Sequence, residues 1–228
     1  MKFLTKLHLA AMFLLSFSQD LRSTSFLEVV TIFSRYLKNP AQVGEIAPIS
    51  QLAGIELSRY VSKGQVGKRY LEAGGGCGAI SVCIARNLRP QDHLDVIEID
   101  GHMCDILKQR LQQYPNVSVH WCSILDWKPE ELYDGIISTL PFNSLGIDFT
   151  QEAIAYFEQV AGPGCMFSYV EYPIVRQAVQ YFYGSERKRN FRAVQNFLSI
   201  VRSKYLVEQA MIYRNVPPVT VYHLCLKP

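Results

Sequence analysis

The run Glu72-Ala73-Gly74-Gly75-Gly76-Cys77-Gly78 lies between a short apolar strand pattern and a stretch with helical spacing. Glycines reach positive φ and let a ligand lie directly against the backbone. A helix starting just after them offers free N–H groups. About 20 residues later Glu98 ends the next apolar run. A carboxylate there can accept hydrogen bonds from both hydroxyls of a ribose. Gly74, Gly76 and Ala79 also satisfy the dinucleotide pattern G-x-G-x-x-A. Three features favour S-adenosylmethionine over a dinucleotide. Glu72 stands at the strand end, where it suits a cationic, zwitterionic ligand and repels a pyrophosphate. The turn carries an extra glycine and reads E-x-G-x-G-x-G. A second motif, Thr139-Leu140-Pro141-Phe142, ends the fourth strand of the unit, where a dehydrogenase needs none. The predicted cofactor residues are therefore Glu72, Gly74, Gly76, Gly78 and Glu98. Ser123 joins them after the third strand, where its hydroxyl can accept a hydrogen bond from the adenine side. Asp100 serves equally as a helix cap, and Asp126 is three residues off register. The plain structural alternative is a glycine-rich strand–helix turn that binds nothing.

Thr139-Leu140-Pro141-Phe142 resembles the [N/D/S]-x-P-[Y/F/W] signature of amino-group methyltransferases. Methyl transfer is an in-line displacement, so positioning does much of the work. The Thr139 side chain and a main-chain carbonyl, such as that of Leu140, can hold the amine. The Phe142 ring can pack on the nucleophile or on a cationic amine. The alternative is a tight turn with a core phenylalanine.

These groups need elements to hold them. Strand patterns fall at Arg69 to Glu72, Leu94 to Ile99, Val117 to Trp121, Tyr133 to Ser138 and Cys165 to Val170. Two more fall near Leu206 to Tyr213 and Val219 to Leu226. Helical patterns cover Leu52 to Val61, Ala79 to Leu88, Met103 to Tyr114, Gln151 to Val160 and a basic stretch from Ile174 to about Ser203. Alternating strands and helices predict a three-layer, Rossmann-like α/β fold with a mostly parallel, seven-stranded sheet. The short link between the last two strands predicts a hairpin, and so one antiparallel strand near the C-terminus.

The 228 residues carry a net charge of +3 and are 19% charged, which is a globular composition. That charge is too small to announce a nucleic-acid binder. The six cysteines form no C-x-x-C pair, so no zinc site is expected, and they suit a reducing compartment. The expected location is cytoplasmic.

Residues 1–60 are read as a helical segment covering the substrate, and 61–228 as the methyltransferase domain. Phe3, Leu4, Leu7, Ala11, Leu14 and Leu15 fall at helical spacing near Lys2, Lys6 and His8. A membrane-interface helix, a core helix and a signal peptide all stay open for this stretch.

At four points the chain resembles the bacterial phospholipid N-methyltransferases. Leu37 to Ser50 is similar to L-x-x-P-x-x-V-G-x-x-x-P-S-S. The glycine turn with Glu98 fits. Ile137 to Phe142 is similar to S-G-L-P-F/L, and Arg214 to Tyr222 to N-x-P-P-A-x-V-Y. Departures stand at Ile49, Ser123, Val170 and Tyr172. The resemblance implies methylation of an amine-headgroup phospholipid at a membrane surface, peripheral to its inner face. Tyr169 or Glu171 would receive the amine proton. Arg187, Lys188, Arg189 and Arg192 would lie near lipid phosphates, unless they are simply a solvated face. Two rivals remain: an RNA adenine N6-methyltransferase, with nucleic acid as its partner, and a non-catalytic membrane-binding module.

Overall fold

The computed structural model describes residues 49–173, 184–215 and 218–227. Residues 1–48 lie outside them, and with them most of the predicted cover segment. Ile174 to Tyr183, Val216, Pro217 and Pro228 lie outside as well.

Seven strands form one sheet in the order β3-β2-β1-β4-β5-β7-β6. They are β1 (Arg69–Ala73), β2 (His93–Glu98), β3 (Val117–Trp121), β4 (Tyr133–Ser138), β5 (Ala161–Glu171), β6 (Leu206–Ile212) and β7 (Val219–Cys225). The β1–β5 pairings are parallel, and β7 is antiparallel to both β5 and β6. The predicted hairpin is therefore present, and β7 is the one reversed strand. The inner strands are buried over most of their length, as expected where helices cover both faces of a parallel sheet.

Alternate residues divide the core into two layers. On one face Leu71, Ile136, Phe167 and Tyr169 pack with Phe157 of α5 (Ile147–Val160) and with Val194 and Leu198 of α6 (Ser185–Tyr205). On the other, Tyr70, Val96 and Ile137 pack with three helices. These are α1 (Gln51–Leu57), α2 (Ala79–Ala85) and α3 (Gly101–Leu111), which contribute Leu57, Ile80, Ile84 and Leu107. The short α4 (Phe142–Leu145) follows β4 directly.

Several helix ends differ from the sequence reading, each for a local reason. The α3 helix starts at Gly101 because the Asp100 carboxylate accepts the Met103 N–H at 3.0 Å, so Asp100 is a cap. The α2 helix ends early, as the Asn87 N–H turns to the Ile84 carbonyl at 2.9 Å. The α5 helix starts four residues before Gln151. There the Ile147 N–H donates to Asn190 Oδ1 of α6 at 3.2 Å, a cap supplied from across the fold.

The register sets the site. Ala73 pairs with Ile97 on one side and Ser138 on the other. The next residues, Gly74, Glu98 and Thr139, therefore emerge at one level beside the point where the chain switches from β3 back to β4. Ligands of open α/β sheets bind in that crevice.

Candidate active site

The glycine turn is fixed from three sides. Gly74 and Gly75 donate to the Ile97 carbonyl at 2.9 and 3.3 Å, Gly78 donates to the Gly75 carbonyl, and Arg110 donates to the Cys77 carbonyl at 2.7 Å. Gly74, Gly76 and Gly78 all have positive φ. Their surroundings differ. A Cβ on Gly75 would come within 2.5 Å of Val96 and 2.9 Å of Leu107, so Gly75 lets α3 pack closely. A Cβ on Gly76 would meet nothing within 4 Å. Gly76 thus presents open backbone, while Gly75, absent from the predicted set, is a packing glycine.

Glu98 closes the turn. Its carboxylate accepts the Gly76 N–H at 2.7 Å, the Ile99 N–H at 2.9 Å and the Asp100 N–H at 3.0 Å. A carboxylate offers about four acceptor positions, so it can hold the loop and still meet a sugar hydroxyl.

Glu72 faces the α2 side of the sheet and is fully buried. Neither of its oxygens has a hydrogen-bond partner. Burial raises its pKa to about 8; the Ser81 hydroxyl, near but outside bonding geometry, opposes this, and the charge of Glu98 adds to it. A buried acid costs stability unless something pairs with it.

Across the crevice, Thr139 is locked onto the glycine turn. Its hydroxyl donates to the Gly74 carbonyl and its N–H to the Ala73 carbonyl at 3.1 Å. A Cβ on Gly74 would come within 3.1 Å of the Leu140 side chain. Pro141, at φ −80° and ψ 69°, makes an inverse γ-turn, so the Leu140 carbonyl accepts the Phe142 N–H at 2.9 Å. That carbonyl keeps a second lone pair, and the Thr139 oxygen can still accept.

Two predicted roles are corrected. The Phe142 ring is 3% exposed and packs edge-on against Tyr169, with centroids 6.0 Å apart. It is a core residue that anchors the turn, not a ring laid open to an amine. Tyr169 is buried between Phe167 and Tyr222, and its hydroxyl accepts from Arg202 at 2.7 Å and donates to Glu171 at 3.3 Å. Burial above all, with the charge of Glu171, holds the phenol far above its usual range. A neutral phenol whose oxygen already accepts from a guanidinium is no proton acceptor. Ser123 caps its own turn, accepting the Leu125 N–H at 3.3 Å, and Asp126 donates its N–H to the Ser123 carbonyl.

The sequence reading missed two networks whose members lie far apart along the chain. Arg202 of α6 joins Glu171 at 2.7 Å, and Gln195 donates to Asn143 and Glu171 at 3.0 and 3.3 Å. On the opposite face, Ser168, His223 and Glu56 form a buried chain, with His223 Nδ1 2.7 Å from Ser168 and Nε2 3.2 Å from Glu56. Among the described residues no group of side chains could hold a metal ion.

The model of the family described as ribosomal RNA adenine dimethylase matches residues 32–157, more than half of the chain. The chain belongs to that family. It is an S-adenosylmethionine-dependent methyltransferase, as the glycine turn and Glu98 predict. No curated protein matches it. Among solved structures, the N-methyltransferase NodS of Bradyrhizobium japonicum bound to S-adenosylhomocysteine superposes with a TM-score of 0.59 at 19% identity, over 86% of this chain and 97% of that one. An O-methyltransferase from Bacillus cereus, also bound to S-adenosylhomocysteine, gives 0.61 at 12%, over 92% and 96%. TomG of Streptomyces achromogenes, bound to S-adenosylmethionine, gives 0.58 at 16%, over 92% and 94%. These likenesses show the fold.

The residues present fit the family's cofactor. Gly76 leaves open backbone, Glu98 keeps acceptor capacity beside it, and the orphaned Glu72 carboxyl lies beneath the same turn. Gly74, Gly76, Glu98 and Glu72 are the groups that would hold S-adenosylmethionine, which supplies an electrophilic methyl group. On the other side of the crevice, Thr139 is fastened to the same turn and the buried Phe142 ring anchors the segment that follows β4.

Proposed function

We propose that this methyltransferase acts on an amine nitrogen, and that its acceptor is the amine headgroup of a phosphatidylethanolamine-type phospholipid. The observation that carries the amine reading is the turn Thr139-Leu140-Pro141, whose Thr139 oxygen stands directly against the glycine turn and whose Leu140 carbonyl keeps a lone pair beyond its bond to the Phe142 N–H. An amine must lose a proton before it can be methylated, and a partly buried setting lowers its pKa. The burial of Phe142 supports a flexible alkyl amine over a planar base. Enzymes that act on a flipped base stack it between aromatic or apolar side chains, and this ring is already packed in the core.

The surroundings support a membrane-facing site. Arg187, Arg189 and Arg192 are exposed at the start of α6, the helix whose Asn190 caps α5. Ile99, Trp121 and Leu145 are exposed around the strand ends that carry the site. Cations with protruding apolar side chains suit an anionic lipid surface. Among the described residues no helix is long and apolar enough to cross a membrane. The second reading, methylation of an adenine amine in RNA, is favoured by the family match over residues 32–157.

The test is incubation of the full chain with methyl-labelled S-adenosylmethionine and either phosphatidylethanolamine vesicles or ribosomal RNA. Label in the lipid extract is expected. Label only in the RNA would replace the first reading with the second.

A further inference from the structure

The turn Thr139-Leu140-Pro141 runs straight into α4, a helix of four residues. So short a helix does not hold its own place. Its internal bonds run from the Ser144 and Leu145 N–H groups to the Pro141 carbonyl, at 2.8 and 3.1 Å, and from the Gly146 N–H to the Phe142 carbonyl at 3.1 Å. None of these fixes it against the sheet. The buried Phe142 ring sets one end. Beyond it, two side chains of α6 reach the segment. Gln195 Nε2 donates to Asn143 Oδ1 at 3.0 Å, and Asn190 Oδ1 accepts the Ile147 N–H at 3.2 Å. One contact falls just after Phe142 and the other two residues past Leu145, so α6 grips the segment at both ends.

Gln195 is out of keeping with its surroundings. It is 7% exposed and lies in the stripe of α6 that buries Phe191, Val194, Leu198 and Val201. A buried amide there costs stability unless it is bonded, and an apolar side chain would carry no such cost. Its amide makes a second bond, 3.3 Å, to Glu171 Oε2. Glu171 is itself held, since Arg202 donates to its Oε1 at 2.7 Å. Glu171, Gln195 and Arg202 line one small cavity, in which the guanidinium already pairs the carboxylate. One amide therefore ties α4 to an ion pair that joins β5 to α6.

We infer that Gln195 and Asn190 are positioning residues for methyl transfer. From α6 they set where the segment after Phe142 sits, and so where Thr139 and the Leu140 carbonyl stand against the glycine turn. The inference rests on the reading of Thr139-Leu140-Pro141 as the acceptor turn and adds the element that aligns it. A displacement of about 1 Å at such a turn costs about a hundredfold in rate, so two hydrogen bonds remote from the cofactor can govern turnover.

The experiment compares variants of the full chain in methyl transfer to phosphatidylethanolamine vesicles, in calorimetric affinity for S-adenosylhomocysteine and in amide hydrogen exchange. Gln195→Met keeps the length and removes the amide. Asn190→Leu removes the cap, and Asn190→Asp keeps its acceptor oxygen. Gln195→Met and Asn190→Leu should each lower kcat about tenfold and leave cofactor affinity within about twofold. Both should speed exchange of the Ser144 and Leu145 amides at least about tenfold while Ile136 and Ile137 stay protected. Asn190→Asp should transfer like the wild type. Adding Asn143→Leu to Gln195→Met should lower transfer no further, since both remove the same bond. The two sites lie on different turns of α6, so one variant that fails to fold leaves the other as the test. Transfer unchanged in both variants, transfer lost together with cofactor affinity, or additive effects of Asn143→Leu and Gln195→Met overturn the inference. Label in ribosomal RNA alone removes the lipid reading, with the same rate ratios then expected on RNA. If Thr139→Val transfers like the wild type, the reading of the turn falls and takes the inference with it.

Discussion

The Thr139 hydroxyl is hydrogen-bonded to the Gly74 carbonyl, so the tip of β4 is fastened to the turn that follows β1. One side chain therefore joins the two sides of the crevice. Thr139→Val keeps the shape and removes the donor. Loss of such a bond costs about 1 kcal/mol, and a misplaced turn costs more in rate than in stability. Methyl transfer should fall about tenfold, the equivalent of about 1.4 kcal/mol, with a small drop in Tm. Full activity in the valine variant would show that the link is incidental.

Gly75 and Gly76 are neighbours with opposite expected phenotypes. Gly75→Ala drives a methyl group to 2.5 Å from Val96 and should destabilise the fold by about 1–3 kcal/mol. Gly76→Ala meets open space but sits at φ 52°, a conformation that costs an L-residue about 1–2 kcal/mol. Its larger effect should be on cofactor affinity, because the added methyl occupies the exposed backbone. Thermal melts and cofactor titration separate the two, and the prediction fails if Gly76→Ala binds cofactor like the wild type.

Glu72 makes the protein's stability fall as pH rises. Burial lifts its carboxyl to about 8 in the folded chain, while the unfolded chain keeps it near 4.5. Between those values the folded state holds a proton that the unfolded state has lost, so stability declines from about pH 4.5 to 8 and levels off above. The ceiling is about 5 kcal/mol, at 1.36 kcal/mol for each tenfold in proton affinity. Glu72→Gln should match the wild type near pH 5, exceed it in urea stability at pH 8, and bind cofactor poorly. A wild-type stability flat across that range would remove the buried acid from the account.

His223 acts in the opposite direction. Burial lowers its pKa, outweighing the Glu56 carboxylate bonded to Nε2. The folded state resists a proton that the unfolded state accepts. Its contribution is whole above the ordinary histidine value near 6.5 and is lost as pH falls through the depressed one. Because Glu56 lies on α1 and Ser168 on β5, acid should loosen α1 first. Hydrogen exchange at pH 5 should show Ala53 to Leu57 deprotected ahead of β1; simultaneous deprotection counts against it.

The shape of the glycine turn and its closure by Glu98 were legible because they lie in local geometry. Glycines must reach positive φ wherever that turn occurs, and Glu98 needs only to end its strand. Val117–Trp121 and Tyr133–Ser138 match their predicted bounds. The start of α5 was not legible, because its cap, Asn190, lies 43 residues away. The roles of Phe142 and Tyr169 were misread for a similar cause. An aromatic residue in a motif has the same letter whether its ring faces a ligand or the core.

The sequence by itself determined the alternation of strands and helices, the reversed last strand and the glycine turn after β1, because periodicity and backbone freedom are properties of short segments. Only the tertiary structure decided which rings are buried. It alone set the state of Glu72, whose charge depends on the water excluded by α2 above it. It also brought Glu171, Gln195 and Arg202 around one cavity, since α6 meets β5 and β7 only after the sheet has closed its order.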